Sequence, residues 1–290
     1  MTLQETTKNN IELLIREKII SEHSVAGGCI NDARILVTNS NKKYFVKFNY
    51  HSPTDMFIKE ANGLKEIESS KTMRVPKVLF ANDKFILLEA ILSAHRKKNF
   101  FEEFGRKFAM MHKYSSNQFG FYEDNYIGST PQLNIANDVE KNDWVKFYFN
   151  KRLSYQFNLA EKNGYAGEEF RKAFSLLENK IDRILNCNSF SPSLLHGDLW
   201  SGNYMTDEDG SACLIDPAVY YGHREADLAM TKLFGGFDNN FYSAYNEEFP
   251  LEDGYEYREN IYKLYHVLNH LNLFGMGYYH QAIDLMKFYN

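Results

Sequence analysis

Three polar residues in the second half of the chain have the types and the spacing that phosphoryl transfer requires. Asp198 lies in a polar turn, Asn203 follows five residues later, and Asp216 comes directly after a short apolar run. A carboxylate in such a turn can orient a hydroxyl group and accept its proton. The interval Asp-x-x-x-x-Asn is that of a kinase catalytic loop, in which the asparagine oxygen ligates Mg²⁺. We therefore predict Asp198 as the catalytic residue and Asn203 and Asp216 as metal ligands.

The alternative is a simple polar turn, because Asp, Asn and Gly favour turns for local hydrogen-bonding reasons. A second pair of charged residues favours the catalytic interpretation. Lys47 lies among apolar neighbours in a strand-like segment, and Glu60, thirteen residues later, lies within the apolar stripe of a helical segment. A carboxylate in that stripe needs a cation. We expect Lys47 and Glu60 to pair and to position nucleotide phosphates, the alternative for Glu60 being a solvated charge at a helix edge.

A glycine pair precedes these strands and is a candidate for phosphate binding. Gly27 and Gly28 are followed by Cys29 and Ile30 and then by a strand-like stretch. Glycines let backbone amides approach phosphates closely. The spacing matches neither G-x-G-x-x-G nor the Walker pattern, so a hairpin turn is the alternative.

The segment that follows the next predicted hairpin is a candidate for adenine binding. Strand-like residues 78–80 and 85–88 flank a polar turn, and Glu89, Ala90 and Ile91 come directly after them. Their backbone groups are expected to bind the adenine edge as a hinge, a role that leaves almost no side-chain signature.

Hydrophobic periodicity predicts the elements that surround these residues. A helix is expected over 11–20, strands dominate up to residue 91, and helices dominate from Phe100 onward, including 144–156 and 262–274. The chain of 290 residues is long enough for one bilobal unit. We therefore predict an α+β protein with a small antiparallel-sheet lobe over 1–91, which binds nucleotide, and a larger, mainly helical lobe over 92–290, which holds the catalytic loop, the metal site and the acceptor pocket.

Composition and charge limit the classes of partner and the compartment that we expect for this protein. The net charge of −5 argues against nucleic acid, and the apolar runs are too short to span a membrane. The three cysteines, Cys29, Cys187 and Cys213, are odd in number and form no C-x-x-C pair, so neither a disulfide framework nor a zinc site is indicated. No apolar leader follows Met1, and a reducing cytoplasm fits best. The sequence does not distinguish a monomer from a homodimer.

The segment after Asp216 points to a small acceptor. It enters a helical pattern almost at once, with neither the long activation segment nor the A-P-E motif of protein kinases. His223 and Arg224 could reach the substrate, although a structural role near a helix start is the alternative. His266 and His270 have the spacing of metal ligands on a helix, but no third ligand is apparent, so packing or a polar pocket wall is favoured.

Several motifs closely resemble the fructosamine kinase (ketosamine 3-kinase) family. They comprise residues 27–30, 45–47, 119–131, 196–203, 216–218, 221–225, 233–237 and 268–272, so the resemblance spans nearly the whole chain. The stretch up to Asn203, with its tryptophan, is far more specific than a generic kinase signature. The resemblance implies an aminoglycoside-phosphotransferase-like, protein-kinase-like fold.

The same resemblance implies an activity. It is the ATP- and Mg²⁺-dependent phosphorylation of the 3-hydroxyl of ketosamines, either small molecules or glycated lysine side chains, which leads to deglycation. It implies that Asp198 accepts the proton and that Trp200 stacks on the sugar. Cys29 would be a redox switch, or else a small apolar loop residue. The alternatives are another small-molecule kinase of this fold, acting on choline, an aminoglycoside or a sugar, and a nucleotide-binding module without turnover.

Overall fold

The computed structural model describes residues 3–25, 31–50, 53, 55–186 and 190–289. The elements up to residue 113 are α1 (Glu5–Ile15), β1 (Ile19–Ser24), β2 (Asp32–Thr38), β3 (Lys43–Phe48), α2 (Met56–Ser69), β4 (Val78–Ala81), β5 (Phe85–Glu89) and α3 (Phe100–Lys113). Those up to residue 195 are β6 (Asn125–Ile127), β7 (Thr130–Gln132), α4 (Trp144–Tyr148), a π-helical turn (Phe149–Ser154), α5 (Tyr155–Lys162), α6 (Glu168–Glu178), α7 (Ile181–Leu185) and β8 (Ser193–Leu195). The remainder are β9 (Tyr204–Thr206), β10 (Ala212–Leu214), β11 (Tyr220–Gly222), α8 (Glu225–Leu233), α9 (Asn239–Glu248), α10 (Tyr255–Phe274), a 3₁₀ turn (Met276–Tyr278) and α11 (Tyr279–Lys287).

One compact unit comprises the described residues up to Phe100 together with Tyr204–Asp216. Its centre is an antiparallel sheet of five strands in the order β1-β2-β3-β5-β4, and α2 packs against β4 and β5. The core of the sheet is apolar, as the run of buried residues in β3 and β5 requires; it includes Ile11, Leu36, Val46, Phe48, Phe85 and Leu87. The β9–β10 hairpin joins this unit through a hydrogen bond from Leu214 N to Arg74 O of 2.8 Å.

The predicted helix over 11–20 is wrong at its C-terminal end. The helix ends at Ile15 because Arg16 takes a left-handed conformation, with φ 57°. Ile19 then begins β1, where it pairs with Thr38 and contributes to the same core as Ile11. Both isoleucines are buried, so periodicity alone did not separate the helix from the strand that follows it.

The second unit comprises Phe101–Asn203 and the described residues from Pro217 to Tyr289. It is mainly helical, and α10 packs against α5, α7, α8 and α11. The α10 residues Ile261, Leu264, Leu268 and Leu271 are buried at the spacing of one helical face. The antiparallel pair β8–β11 lies in this unit, as does the hairpin β6–β7. Together the two units confirm the predicted α+β class; the division at residues 91 and 92 stays a prediction.

The predicted helix over 144–156 is helical, but its middle turn is π-helical. Arg152, in this turn, is fully buried. Its guanidinium donates to Leu133 O at 2.5 Å and to Asn134 Oδ1 at 2.7 Å, and it lies 4.0 Å from the centre of the Tyr220 ring. The buried charge is therefore solvated by backbone, amide and aromatic groups.

No helix within the described ranges is long and apolar enough to cross a membrane.

Candidate active site

The first unit brings three charged side chains of the predicted site together. Lys47 projects from β3 and Glu60 from α2, and Lys47 Nζ donates to Glu60 Oε1 at 2.9 Å. The same ammonium group also donates to Asp216 Oδ1. The predicted contact between Lys47 and Glu60 is therefore present, and Asp216 joins it from beyond the end of β10.

The charges in this cluster stabilise one another. Burial alone would lower the pKa of Lys47, but the carboxylates of Asp216 and Glu60 outweigh it and raise that pKa above its usual value. Burial raises the pKa of Glu60, and the Lys47 ammonium opposes this effect. Lys47 is therefore a charged group held at a fixed position by two carboxylates, which fits its predicted contact with nucleotide phosphates.

Asp216 has an unusual backbone conformation. Its φ is 56°, in the left-handed region that few residues other than glycine adopt and that Asp tolerates better than most. Its side chain is 42% exposed, so the carboxylate lies at the surface of the first unit. Local strain of this kind is concentrated at functional sites, which supports the predicted role of Asp216.

Asp198 and Asn203, the residues of the predicted catalytic loop, lie in the second unit. Asn203 Nδ2 donates to the backbone oxygen of Asp198 at 2.7 Å and to Asp198 Oδ2 at 3.2 Å. These bonds use the amide nitrogen of Asn203, so its amide oxygen is the atom that could ligate a cation. They also fix the orientation of the Asp198 carboxylate, whose side chain is 20% exposed.

The loop itself is anchored by Asp227, in the first turn of α8. One carboxylate oxygen accepts from His196 N at 2.7 Å and the other from Gly197 N at 2.8 Å.

His112 also contacts the Asp227 carboxylate. His112 Nε2 lies 3.2 Å from the oxygen that accepts from His196 N, and His112 Nδ1 lies 2.7 Å from Tyr245 Oη. Burial alone would raise the pKa of Asp227, but these partners hold it below its usual value. Burial lowers the pKa of His112, so a neutral ring donates from Nε2 to the carboxylate and accepts from the tyrosine hydroxyl.

Gly197 is required by its backbone conformation and by its neighbours. Its φ is +83°, and a Cβ atom at this position would lie 2.0 Å from Ala218 O. Ala218 N donates to His196 O at 2.8 Å, so the two segments lie in direct contact.

Trp200 and His223, the two predicted substrate residues, lie in different environments. Trp200 is 37% exposed, and its ring meets Phe234 at 6.1 Å in an edge arrangement. His223 is buried, with Nδ1 2.8 Å from Tyr262 Oη and its ring 4.1 Å from Phe190. Burial lowers its pKa well below the usual value. A substrate role for His223 stays a prediction; the contacts described are those of the structural alternative.

The structure describes only some of the other residues that are predicted to bind the nucleotide. Gly27, Gly28, Cys29 and Ile30 lie outside the described residues. Glu89 ends β5, and its carboxylate accepts from the Arg74 guanidinium at 2.9 Å and from Lys77 N at 3.1 Å.

Ala90 and Ile91, which follow Glu89, are both buried. The hinge role of these three residues stays a prediction.

One residue lies near Asp198 although the sequence pattern did not predict it there. His266, on α10, places Nδ1 4.0 Å from Asp198 Oδ1. Its spacing to His270 suggested a metal pair, packing or a polar pocket wall, and nothing in the spacing indicated the proximity to Asp198. Within the described ranges no cluster of three or more His, Cys, Asp or Glu residues could hold a metal.

Comparison with known proteins decides the family. A family model described as "Fructosamine kinase" matches residues 3–289. The chain belongs to the fructosamine kinase family. It is 40% identical over 275 residues to a probable ketoamine kinase of Synechocystis sp., covering 93% of this chain and 90% of the relative. It is also 40% identical over 291 residues to a chloroplastic protein-ribulosamine 3-kinase of Arabidopsis thaliana, covering 95% and 87%.

Solved structures confirm the fold of this family member. A proposed fructosamine-3-kinase of Thermobifida fusca superimposes with a TM-score of 0.87 at 27% identity, covering 99% of both chains. A streptomycin–ATP ternary complex of an aminoglycoside phosphotransferase superimposes with a TM-score of 0.62 at 14% identity, covering 99% of this chain and 97% of the other. The predicted aminoglycoside-phosphotransferase-like fold is therefore confirmed. Membership of the family also confirms the predicted enzyme class, a phosphotransferase with an alcohol group as acceptor.

Proposed function

We propose that this enzyme transfers the γ-phosphoryl group of ATP to the 3-hydroxyl of ketosamines, the adducts of sugars with amines or with lysine side chains. The relatives, a probable ketoamine kinase and a protein-ribulosamine 3-kinase, support the acceptor class, and the ATP complex of the aminoglycoside phosphotransferase supports the donor. The observation that carries the proposal is the Asp198 carboxylate, which Asn203 orients in a loop anchored by Asp227. A protein that only bound nucleotide would have no need of a carboxylate held in this way.

Each residue of the two clusters then has a role. Asp198 orients the acceptor hydroxyl and takes its proton as the bond to phosphorus forms. Lys47, held by Glu60, contacts the nucleotide phosphates. Asn203 and Asp216 would hold Mg²⁺, since a carboxylate and an amide oxygen are ligands of the kind that Mg²⁺ accepts alongside water and phosphate. When bound, the cation neutralises charge on the phosphate oxygens.

The other predicted contacts belong to the same proposal. Gly27, Gly28, Cys29 and Ile30 would cover the phosphates, and Glu89, Ala90 and Ile91 would bind the adenine edge. Trp200 would stack on the sugar.

The product suggests the biological consequence. Phosphate on the carbon next to the sugar ketone is a leaving group, so its elimination can be followed by release of the amine. We propose deglycation as the role that follows from this chemistry, and the cytoplasm as its location.

The test is Mg²⁺-dependent ATP consumption with ribulosyl-lysine, fructosyl-lysine, choline and an aminoglycoside as acceptors. We expect turnover with the ketosamines and none with the other two. Turnover only with choline or the aminoglycoside would replace the proposed acceptor, and ATP binding without turnover of any acceptor would favour a binding module.

The Asp198→Asn variant tests the catalytic role. We expect kcat to fall by about 10²–10⁴-fold, the usual contribution of a general base, while ATP affinity is unchanged because the residue acts on the acceptor. The matched control is Asp138→Asn, whose side chain is 99% exposed. Loss of nucleotide affinity in Asp198→Asn would contradict the assignment.

A further inference from the structure

The His266 ring has a buried polar atom with no hydrogen-bond partner. The residue is 3% exposed, and its Nδ1 atom has no partner among the described residues. Buried polar groups are almost always paired, so an exception calls for an explanation. Burial, with smaller contributions from His270 and Arg152 and against the opposing effect of the Asp227 carboxylate, lowers the pKa of His266 to about 3. The ring is therefore neutral at physiological pH and carries one N–H group.

The Nδ1 atom of His266, unpaired among the described residues, faces the carboxylate of Asp198, the predicted catalytic residue. Nδ1 lies 4.0 Å from Asp198 Oδ1, whereas the other carboxylate oxygen, Oδ2, accepts from Asn203 at 3.2 Å. The Nδ1–H group of His270 does not bond to the His266 ring, because it donates to the backbone oxygen of His266 at 2.8 Å. Each oxygen of Asp198 thus faces a different nitrogen.

The identity of the tautomer follows from electrostatics. A lone pair on Nδ1 would face the carboxylate oxygen of Asp198 and repel it, whereas an Nδ1–H group would be attracted to it. A separation of 4.0 Å is too long for a hydrogen bond and needs to shorten by about 1 Å. Hydrogen bonds at catalytic groups are often long in the free enzyme and tighten when substrate binds.

We propose that His266 is a positioning residue whose Nδ1–H group donates to Asp198 Oδ1 when the acceptor is bound, so that Asn203 and His266 hold the carboxylate from both of its oxygens. The inference rests on the proposed function, because it assigns His266 a part in aiming Asp198 at the acceptor hydroxyl. It explains why a polar ring is buried on a helix whose other inward-facing residues are mainly apolar.

Three substitutions separate this role from simple packing. His266→Asn places an amide nitrogen at the same number of bonds from Cβ as Nδ1. His266→Gln moves the donor one bond further, and His266→Leu fills much of the space with no donor. We expect kcat to fall by about tenfold or more in the Leu and Gln variants, with KM for ATP unchanged, and to be largely retained in the Asn variant.

A packing role predicts the opposite order, because Leu replaces a buried ring better than Asn does. Retention of kcat in His266→Leu, or equal loss in the Asn and Leu variants, would overturn the proposal. Melting temperatures of the three variants would show whether a loss of kcat follows a loss of folded protein.

A second measurement does not depend on turnover. Long-range ¹H–¹⁵N spectra of the full-length enzyme would report the tautomer of His266, whose signals are identified by their absence in His266→Asn. We expect the Nδ1–H form, with ring shifts that move in Asp198→Asn. An Nε2–H form would overturn the proposal whatever the acceptor proves to be, whereas failure of the proposed function would appear in the unmodified enzyme as absence of ketosamine turnover.

Discussion

At the scale of single residues, the Lys47 ammonium group is placed by the two carboxylates of Glu60 and Asp216 rather than by solvent. Its bond to Asp216 joins residues 169 positions apart in the chain. The sequence predicted the contact with Glu60, because a carboxylate within an apolar stripe needs a nearby cation. It predicted no contact with Asp216, since nothing local indicates the left-handed φ that orients this side chain.

Lys47→Ala tests this cluster directly. We expect KM for ATP to rise by about tenfold or more, because a charged donor to the phosphates is lost. We also expect a loss of stability of about 3–5 kcal/mol, because the variant leaves a buried carboxylate without its cation.

The matched control for that variant is Lys43→Ala, an exposed lysine on the same strand. Steady-state kinetics and urea unfolding of both variants provide the comparison. An unchanged ATP profile in Lys47→Ala would contradict the role assigned to the first unit.

At the scale of secondary-structure elements, the first turn of α8 fixes the catalytic loop. Asp227 accepts two backbone N–H groups of the loop and faces His112 from α3. His112 is one polar residue at the end of an amphipathic helix, so no local pattern indicates its contact with Asp227.

Asp227→Asn removes the charge that holds this arrangement. One oxygen becomes an NH₂ group that faces N–H donors, so at least one bond to the loop is lost. We expect a loss of about 3 kcal/mol of stability or more, because hydrogen bonds to a buried charged group are worth about 1.5–3 kcal/mol each. We also expect kcat to fall more than KM for ATP rises. Denaturant unfolding and kinetics, with the exposed Asp284→Asn as control, measure both effects, and a variant as stable as the control would contradict the anchoring role.

Two elements show where hydrophobic periodicity was insufficient. α1 ends at Ile15, although the apolar pattern continues through Ile19 into β1. The helix that begins at Trp144 contains a π-helical turn at Phe149–Ser154, whose buried Arg152 bonds to Leu133 and Asn134. Both departures depend on contacts that are distant in sequence, which a local pattern does not contain.

At the scale of the whole molecule, the fold does not determine which acceptor the enzyme uses. A TM-score of 0.62 at 14% identity joins this chain to an aminoglycoside phosphotransferase, so the fold alone does not select the acceptor. We expect residues near Asp198 to select the acceptor, and Trp200 is the candidate that the family resemblance provides. The motif at residues 196–203 predicted the family because it is specific beyond a kinase signature.

Three buried histidines of the second unit predict how stability depends on pH. His112, His223 and His266 all have pKa values lowered mainly by burial, that of His266 to about 3. Below a pH of about 6.5 the unfolded chain binds protons that the folded chain excludes, so stability is greatest above that pH and falls as the pH falls. From pH 7.0 to 5.5 we expect His266 alone to account for a loss of about 1 kcal/mol, measured by urea unfolding. His266→Asn should remove this contribution, and the exposed His280→Asn is the control for the substitution itself. Equal pH dependence in His266→Asn and the unmodified protein would show that folding does not lower the pKa of this ring.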